Sequence, residues 1–170
     1  MKSLKFLFVA VLAAFAFVSC EKGPEQGKEP EQGKEHTGKL VINWGNAADV
    51  NGKTYEIGMA SWSADTYELI LHVELKNNSG ADKEFTVKEV RKYDLATAFA
   101  SLCTSACMPG DGKSEQVWEI GTVAAGEVQT VDLHLAQMVE TATVFPAEFT
   151  FSDGTEEVKI NVNYNYTPAQ

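Results

Sequence analysis

The amino-acid sequence predicts an all-β domain over residues 38–170, built as an antiparallel two-sheet sandwich of seven or eight strands. Apolar and polar residues alternate with a period of two along most of this stretch, which is the pattern of strands buried on one face. Clusters of Gly, Asn, Asp and Ser separate the alternating runs, as turns do. Helical periodicity is almost absent, and about 130 residues are enough for one hydrophobic core.

The clearest strand covers residues 66–76. One face holds Tyr67, Leu69, Leu71, Val73 and Leu75, and the other holds Ile70 among the polar residues Glu68, His72, Glu74 and Lys76. The last two strands form a hairpin, because Asp153-Gly154 separates two alternating runs. The other predicted strands cover residues 40–44, 54–60, 84–92, 117–120, 127–135, 145–151 and 158–166.

The strand at 84–92 is irregular, since Phe85 and Val87 share one phase while Val90 falls on the other. The slip predicts a β-bulge between Val87 and Val90 that returns Val90 to the core. The number and spacing of the strands are typical of an immunoglobulin-like sandwich, although the pattern does not determine the strand order.

The alternation fails between residues 94 and 114. Residues 94–102 are rich in Ala, and they predict a short helix with Asp94 as its N-cap. A long irregular segment between strands of a sandwich is also a common place for a binding site.

Two cysteines, Cys103 and Cys107, follow the predicted helix at a spacing of four residues. A disulfide is the expected state in an exported protein, and the helix must then break before Cys107, because cysteines four apart on a helix lie too far from each other. A redox pair and a metal site that includes His72 and His134 stay open as alternatives.

The first 19 residues predict a removable signal peptide. Two lysines precede an apolar run over residues 6–18, which is shorter than the roughly 20 residues that span a bilayer. The run ends in Ser19-Cys20, and residues 17–20 resemble the lipobox of bacterial lipoproteins. The resemblance implies cleavage before Cys20 and acylation of this cysteine, with palmitate among the chains, and several acyl chains anchor a protein stably.

The residues after Cys20 indicate the membrane in which the protein is anchored. Lipoproteins that stay in the inner membrane often carry Asp after the cysteine, so Glu21 implies the outer membrane. Glu21-Lys22-Gly23 partly resembles the acidic cluster of surface-exported lipoproteins in Bacteroides-like bacteria. The resemblance favours the cell surface and leaves the periplasmic face open.

Residues 20–37 predict the lipidated cysteine followed by a disordered tether. The hexapeptide Pro-Glu-Gln-Gly-Lys-Glu occurs at 24–29 and again at 30–35. The segment has no large apolar side chain to bury, and such segments stay disordered. A flexible chain of this length spans roughly 20–25 Å, enough to lift a domain clear of the lipid head groups.

The charge of the chain is strongly negative. The sequence has 14 basic and 24 acidic residues, and removal of the signal peptide takes away two lysines, so the mature net charge is −12. Nucleic-acid binding depends on basic contacts, and this class of function is therefore excluded. The membrane is expected to be reached through acylated Cys20 and not through a charged face.

The folded part resembles small secreted sandwich domains of Bacteroides- and Porphyromonas-type bacteria over about residues 66–166. Four segments carry the resemblance: residues 75–79, 99–110, 125–127 and 152–154. It implies a sandwich in an exported protein and no particular chemistry.

No catalytic motif is present, and neither a cofactor nor a metal is predicted. His72 and His134 could each act as a base, but both fall on the polar phases of their strands, where a histidine is usually just solvated, so we do not expect an enzyme. Trp62 lies in a polar loop near Asp65 and Tyr67, where it could stack on a sugar ring or a partner surface. The alternative is that Trp62 covers the edge of the core.

The sequence thus predicts a non-enzymatic outer-membrane lipoprotein that binds a protein partner in the cell envelope, as a surface binding, assembly or adhesion module. A carbohydrate-binding lipoprotein that serves glycan uptake is the alternative function. The fold class does not choose between them, because sandwiches serve many functions.

Overall fold

The computed structural model describes residues 38–58, 61–63 and 66–168, without the side chains of 61–63 and 66–67. The predicted signal peptide, Cys20 and the tether lie outside the described residues. No helix within the described part is long and apolar enough to cross a bilayer. The strands are β1 (Gly38–Trp44), β2 (Thr54–Ile57), β3 (Ser61–Ser63), β4 (Thr66–Asn77), β5 (Lys83–Arg91), β6 (Ala98–Cys103), β7 (Cys107–Pro109), β8 (Glu115–Val123), β9 (Val128–Gln137), β10 (Thr143–Ser152) and β11 (Glu157–Tyr166).

These strands form two sheets, so the predicted immunoglobulin-like two-sheet sandwich is confirmed. The six-stranded sheet has the order β1-β4-β9-β6-β7, with β3 also paired to β4. The five-stranded sheet has the order β2-β11-β10-β5-β8. Most pairs are antiparallel, but β1 runs parallel to β4 and β2 runs parallel to β11. The first two strands therefore add to an edge of different sheets, which alternation alone does not reveal.

Inward-facing side chains of both sheets form one core. Trp44 packs edge-on against Phe85 with ring centroids 4.8 Å apart, so the end of β1 is fixed against β5 in the other sheet. Full burial of each large apolar side chain contributes about 1.5–3 kcal/mol. The largest fully buried side chains are Trp44, Tyr164, Phe85, Phe145, Phe149, Phe151, Ile42, Ile57, Leu69, Leu71, Leu75 and Leu102.

Two sequence-based expectations about the strands are wrong. The described residues contain eleven strands and not seven or eight, because the prediction lacks β3, β6 and β7; β3 and β7 have three residues each and are too short to show alternation. Residues 98–103 form strand β6 and not the end of a helix, since Ala98, Ala100 and Leu102 face the core while the strand pairs with β9. Asp94 caps a turn in front of β6, where its Oδ1 accepts a hydrogen bond from the Ala96 N–H at 3.0 Å.

The predicted hairpin between β10 and β11 is confirmed, and a buried carboxylate organises its turn. The Oδ1 atom of Asp153 accepts hydrogen bonds from Thr155 and from the Glu156 N–H, both backbone bonds at 2.8 Å. The Oδ2 atom lies 2.8 Å from Lys83 Nζ and accepts a hydrogen bond from Trp44 Nε1 at 3.2 Å. Burial alone would raise the pKa of Asp153, but the bonds from Lys83, Glu156 and Thr155 outweigh it and hold this pKa well below its usual range.

We expect Asp153→Asn to lower the free energy of unfolding at pH 7 by about 1–3 kcal/mol, because a neutral amide loses the charge-assisted bonds. A depressed folded-state pKa stabilises the protein above the unfolded value of 3.8 and ceases to do so as the pH falls. The gap between variant and wild type should therefore narrow below about pH 4. Urea unfolding at pH 7 and pH 3 measures this difference in the free energy of unfolding. Glu140→Gln in an exposed loop is the charge-matched control. A gap that stays constant between the two pH values would contradict the assignment.

Candidate functional site

The structure brings together only part of the predicted binding group. Trp62 lies in strand β3 directly opposite Tyr67 of β4, so its backbone is in a strand and not in a polar loop. Asp65 and the side chains of Trp62 and Tyr67 lie outside the described residues. The role of these three residues in binding stays a prediction.

Cys103 and Cys107 form a disulfide, as expected from an exported protein. The two residues lie opposite each other in the hairpin of β6 and β7, so a three-residue hairpin loop and not a broken helix brings them together. Leu102 points into the core, and neighbouring residues on a strand point to opposite faces. Cys103 therefore belongs to the outer face of the six-stranded sheet.

The outer face of the six-stranded sheet carries an exposed aromatic ring. Phe99 is 60% exposed, because the small residues Ala98 and Ala100 take the inward positions of β6. Met138 follows the end of β9; it is 56% exposed, and its N–H donates a backbone hydrogen bond of 2.9 Å to Thr97 O in front of β6. A large aromatic group thus projects from a strand that pairs with β9 along its whole length, which holds its backbone in place.

Two histidine–carboxylate pairs lie on this face, the first next to Phe99 and the second level with Cys103. His134 Nδ1 is 2.8 Å from Glu68 Oε1, and His72 Nδ1 is 2.8 Å from Asp132 Oδ1. Strand register places Ser101 opposite His134 and Cys103 opposite Asp132. We call this surface the Phe99 face; it consists of Phe99, Ser101, His134, Glu68, His72 and Asp132.

The histidine pairs give no support to the metal alternative. Within the described residues, no group of three or more His, Cys, Asp or Glu side chains is arranged to hold a metal ion. Each imidazole is instead held by its own carboxylate on an open sheet. The face can offer hydrogen bonds and charges around an apolar centre.

A buried ion pair lies behind this edge of the sandwich, and the sequence pattern did not predict it. Glu89 is 1% exposed and Arg91 is 6% exposed, and both point inward from β5. Arg91 Nε donates to Glu89 Oε2 at 2.8 Å, and the guanidinium carbon lies 5.4 Å from the centre of the Trp118 ring. The predicted bulge between Val87 and Val90 is wrong, because β5 stays in phase and leaves Val90 on the outer face.

The real bulge lies in the partner strand. Phe85 pairs with Gly121 and Thr86 pairs with Glu119, so the extra residue is Ile120 of β8. Gly121 has a φ of 92°, a left-handed conformation that favours glycine over residues with a Cβ. Glu89 and Arg91 are two residues apart and therefore face the same side of β5. This spacing of opposite charges was the signal in the sequence that could have predicted their pairing.

Arg91 also holds the loop that leads from the disulfide hairpin to β8. Its Nη1 donates to Lys113 O at 2.6 Å, and its Nη2 donates to Gln116 Oε1 at 2.8 Å. The same Gln116 oxygen accepts the Asp111 N–H at 2.7 Å. A Cβ at Gly110 would lie 2.7 Å from Ala100 O, so this loop passes too close to β6 for any other residue. We call Glu89, Arg91, Asp111, Gln116 and Trp118 the Arg91 cluster.

The electrostatics of the Arg91 cluster follow from its burial. Burial raises the pKa of Glu89 to about 7, although the charge and hydrogen bond of Arg91 oppose the shift. Burial and the nearby Glu89 charge also raise the pKa of Tyr93. Glu89 and Arg91 are shielded from solvent while Asp111 is exposed, so the buried centre of the cluster positions a loop and does not offer reactive groups to a substrate.

No protein-family model and no curated protein matches the chain. Among solved structures, the chain is similar to the N-terminal domain of PorA, with 20% identity, a TM-score of 0.53, and coverage of 71% of this chain and 91% of that one. It is also similar to the CupB6 tip adhesin of Pseudomonas aeruginosa, at 12% identity, TM-score 0.38, and coverage of 83% and 43%. A PapD-like domain of human CEP192 has 12% identity, TM-score 0.36, and coverage of 68% and 82%. Similarity at this level concerns the fold alone.

Proposed function

We propose that this protein is a non-enzymatic module of the bacterial cell envelope that binds a protein partner through the Phe99 face. In this proposal, acylated Cys20 holds it in the outer membrane and residues 21–37 act as the spacer. The domain is oriented toward the cell surface. The observation that carries the proposal is the exposed ring of Phe99 on a rigid strand.

The exposure of Phe99 distinguishes it from the other surface residues. Six large apolar side chains are exposed among the described residues, and Phe99 is the aromatic one. Aromatic side chains are enriched among residues that dominate binding energy, particularly where a polar rim surrounds them. The His134–Glu68 and His72–Asp132 pairs supply such a rim on one side.

The mounting of Phe99 supports the same function. β6 pairs with β9 along its whole length and, from Ser101 onward, also with β7, and the disulfide closes the β6–β7 hairpin. The Arg91 cluster fixes the loop beyond β7. A surface that is already ordered loses little conformational entropy on binding, and affinity gains accordingly. The similarity to the PorA domain supports the sandwich fold as the scaffold of this surface, and it does not indicate a particular partner.

We expect Phe99→Ser to reduce partner capture in living cells by at least about tenfold, because truncation of a central aromatic anchor costs 2 kcal/mol or more. The measurement is cross-linking of the acylated full-length protein in intact cells, followed by purification and quantification of the cross-linked adduct. Protease treatment of the same cells reports whether the domain is on the surface.

Val117→Ser is the matched control, since Val117 is 57% exposed on the other sheet. Both variants remove an exposed apolar group, and such surface changes alter stability by about 0.5 kcal/mol or less. A single adduct that is lost with Phe99→Ser and kept with Val117→Ser supports the proposal. An adduct that survives Phe99→Ser, or the absence of any adduct with wild type, overturns it.

A further inference from the structure

A depression of about 330 Å³ lies on the outer face of the five-stranded sheet. Its floor consists of short hydroxyl side chains on the two central strands, Thr86 of β5 and Thr150 and Ser152 of β10. Thr86 lies directly opposite Ser152. Longer side chains rise on both sides, because Thr150 lies between Lys88 on one neighbouring strand and Lys159 on the other. We call this feature the hydroxyl trough.

The charges around the hydroxyl trough cancel each other. Lys88 Nζ lies 2.8 Å from Glu115 Oε2, and Lys159 Nζ lies 3.0 Å from Glu148 Oε1. Glu148 also interacts with Lys92, at 3.4 Å. Glu157 also lines the trough, so its lining holds two lysines and two carboxylates and has no net charge. Net charge therefore favours neither an anion nor a cation there.

The polar groups that remain suit a neutral ligand rich in hydroxyl groups. A threonine or serine hydroxyl both donates and accepts a hydrogen bond, and neighbouring strands repeat such groups about every 4.8 Å across the sheet. Lysine and carboxylate groups at the walls add pure donors and pure acceptors. Val90 and Val117 supply apolar surface at the side of β8. Apolar contact combined with a few convergent polar groups is the usual composition of a small-molecule site.

We infer that the hydroxyl trough binds a segment of neutral polysaccharide. The site is separate from the Phe99 face, because the two surfaces belong to different sheets. It is also separate from Trp62, which lies in the six-stranded sheet. Glycan binding at this site is therefore independent of the protein-binding function proposed above, and either one can be tested without the other.

The test uses the full-length protein in detergent and gels that contain dextran, starch, mannan or xyloglucan, with dextran sulfate as the anionic comparison. We expect wild type to be retarded by at least one neutral polysaccharide and not by dextran sulfate. Thr86→Val with Thr150→Val should weaken that retardation about tenfold or more, because the double variant loses two hydroxyl groups without a change of shape. Thr130→Val, an exposed threonine on the other sheet, is the control and should have no effect.

Valine has a high strand propensity, so the double variant should keep the fold, and its thermal unfolding verifies this. Loss of retention in Trp62→Ala but not in the double variant would place the glycan at Trp62 and overturn the inference. Stronger retention by dextran sulfate, or no retention by any neutral polysaccharide, overturns it as well. Phe99→Ser should bind glycan like wild type, which separates this outcome from the outcome of the cross-linking experiment.

Discussion

Replacement of Arg91 by methionine is expected to lower the free energy of unfolding by about 3–5 kcal/mol, the usual cost of removing one partner from a buried ion pair. Glu89 would stay buried without its counter-charge, and the backbone carbonyl of Lys113 and the side chain of Gln116 would lose their donor. Denaturant unfolding monitored by tryptophan fluorescence measures the change, since Trp118 lies against the guanidinium.

The pH dependence of this variant identifies the cause. Glu89 has a folded-state pKa above its ordinary value of 4.5, and a carboxyl group of this kind favours the folded state at low pH and ceases to do so as the pH rises through the folded value. Without Arg91 the pKa of Glu89 rises further, because burial and the nearby Asp111 charge then act unopposed. We therefore expect Arg91→Met to be less destabilising at pH 5 than at pH 8.

The double variant Glu89→Leu/Arg91→Met provides the control. Replacing both charges with apolar groups of similar size is often nearly neutral for stability, so this variant should recover most of the loss. If the double variant is as unstable as Arg91→Met, the contribution of Arg91 comes from its bonds to the 110–114 loop and not from pairing with Glu89. Wild-type stability in Arg91→Met would contradict the structural role of the Arg91 cluster altogether.

Replacement of Cys20 by alanine is expected to move nearly all of the protein from the membrane fraction to the soluble fraction. The proposed anchor consists of acyl chains on this one residue, and each buried methylene contributes about 0.8 kcal/mol to membrane binding. Incorporation of radiolabelled palmitate and ultracentrifugation of cell lysates are the two measurements. The variant should incorporate no label.

Cys103→Ala is the matched control for this experiment, because it also removes one cysteine but leaves Cys20 intact. It should keep the label and the membrane location while it loses the Cys103–Cys107 disulfide. An unlabelled wild-type protein, or a Cys20→Ala variant that sediments with the membranes, would show that the lipobox resemblance is misleading.

Strand prediction succeeded where large apolar residues mark one face. In β4, β10 and β11 most inward positions hold Leu, Val, Ile, Phe or Tyr, with Asn77 and Ala147 as exceptions, and the pattern is evident in the sequence. In β6 the inward positions include Ala98 and Ala100, and alanine also has the highest helix propensity, so the segment resembled a helix. Pairing with β9 and β7 overrides that propensity.

The Arg91 cluster shows a different limit. The prediction placed apolar residues in the core and charged residues on the surface. It therefore assigned Val90 to the core, which required a bulge in β5. The structure instead keeps β5 regular and buries Glu89 and Arg91 as a pair, with the bulge in β8. Burial of a charged residue depends on partners from distant segments, here Lys113 and Gln116, and sequence periodicity contains no record of them.

The parallel pairing of β1 has a mechanical consequence. In the proposed arrangement the domain is attached to the membrane through the chain that enters β1 at Gly38, and seven residue pairs join β1 to β4 in register. A pull on Gly38 along the strand axis loads these bonds in shear, so they must fail together and not one after another. The far end of β1 is also held, since Trp44 is buried and donates a hydrogen bond to Asp153. Drag on a bound partner would thus reach the anchor through a strand that resists extraction along its length.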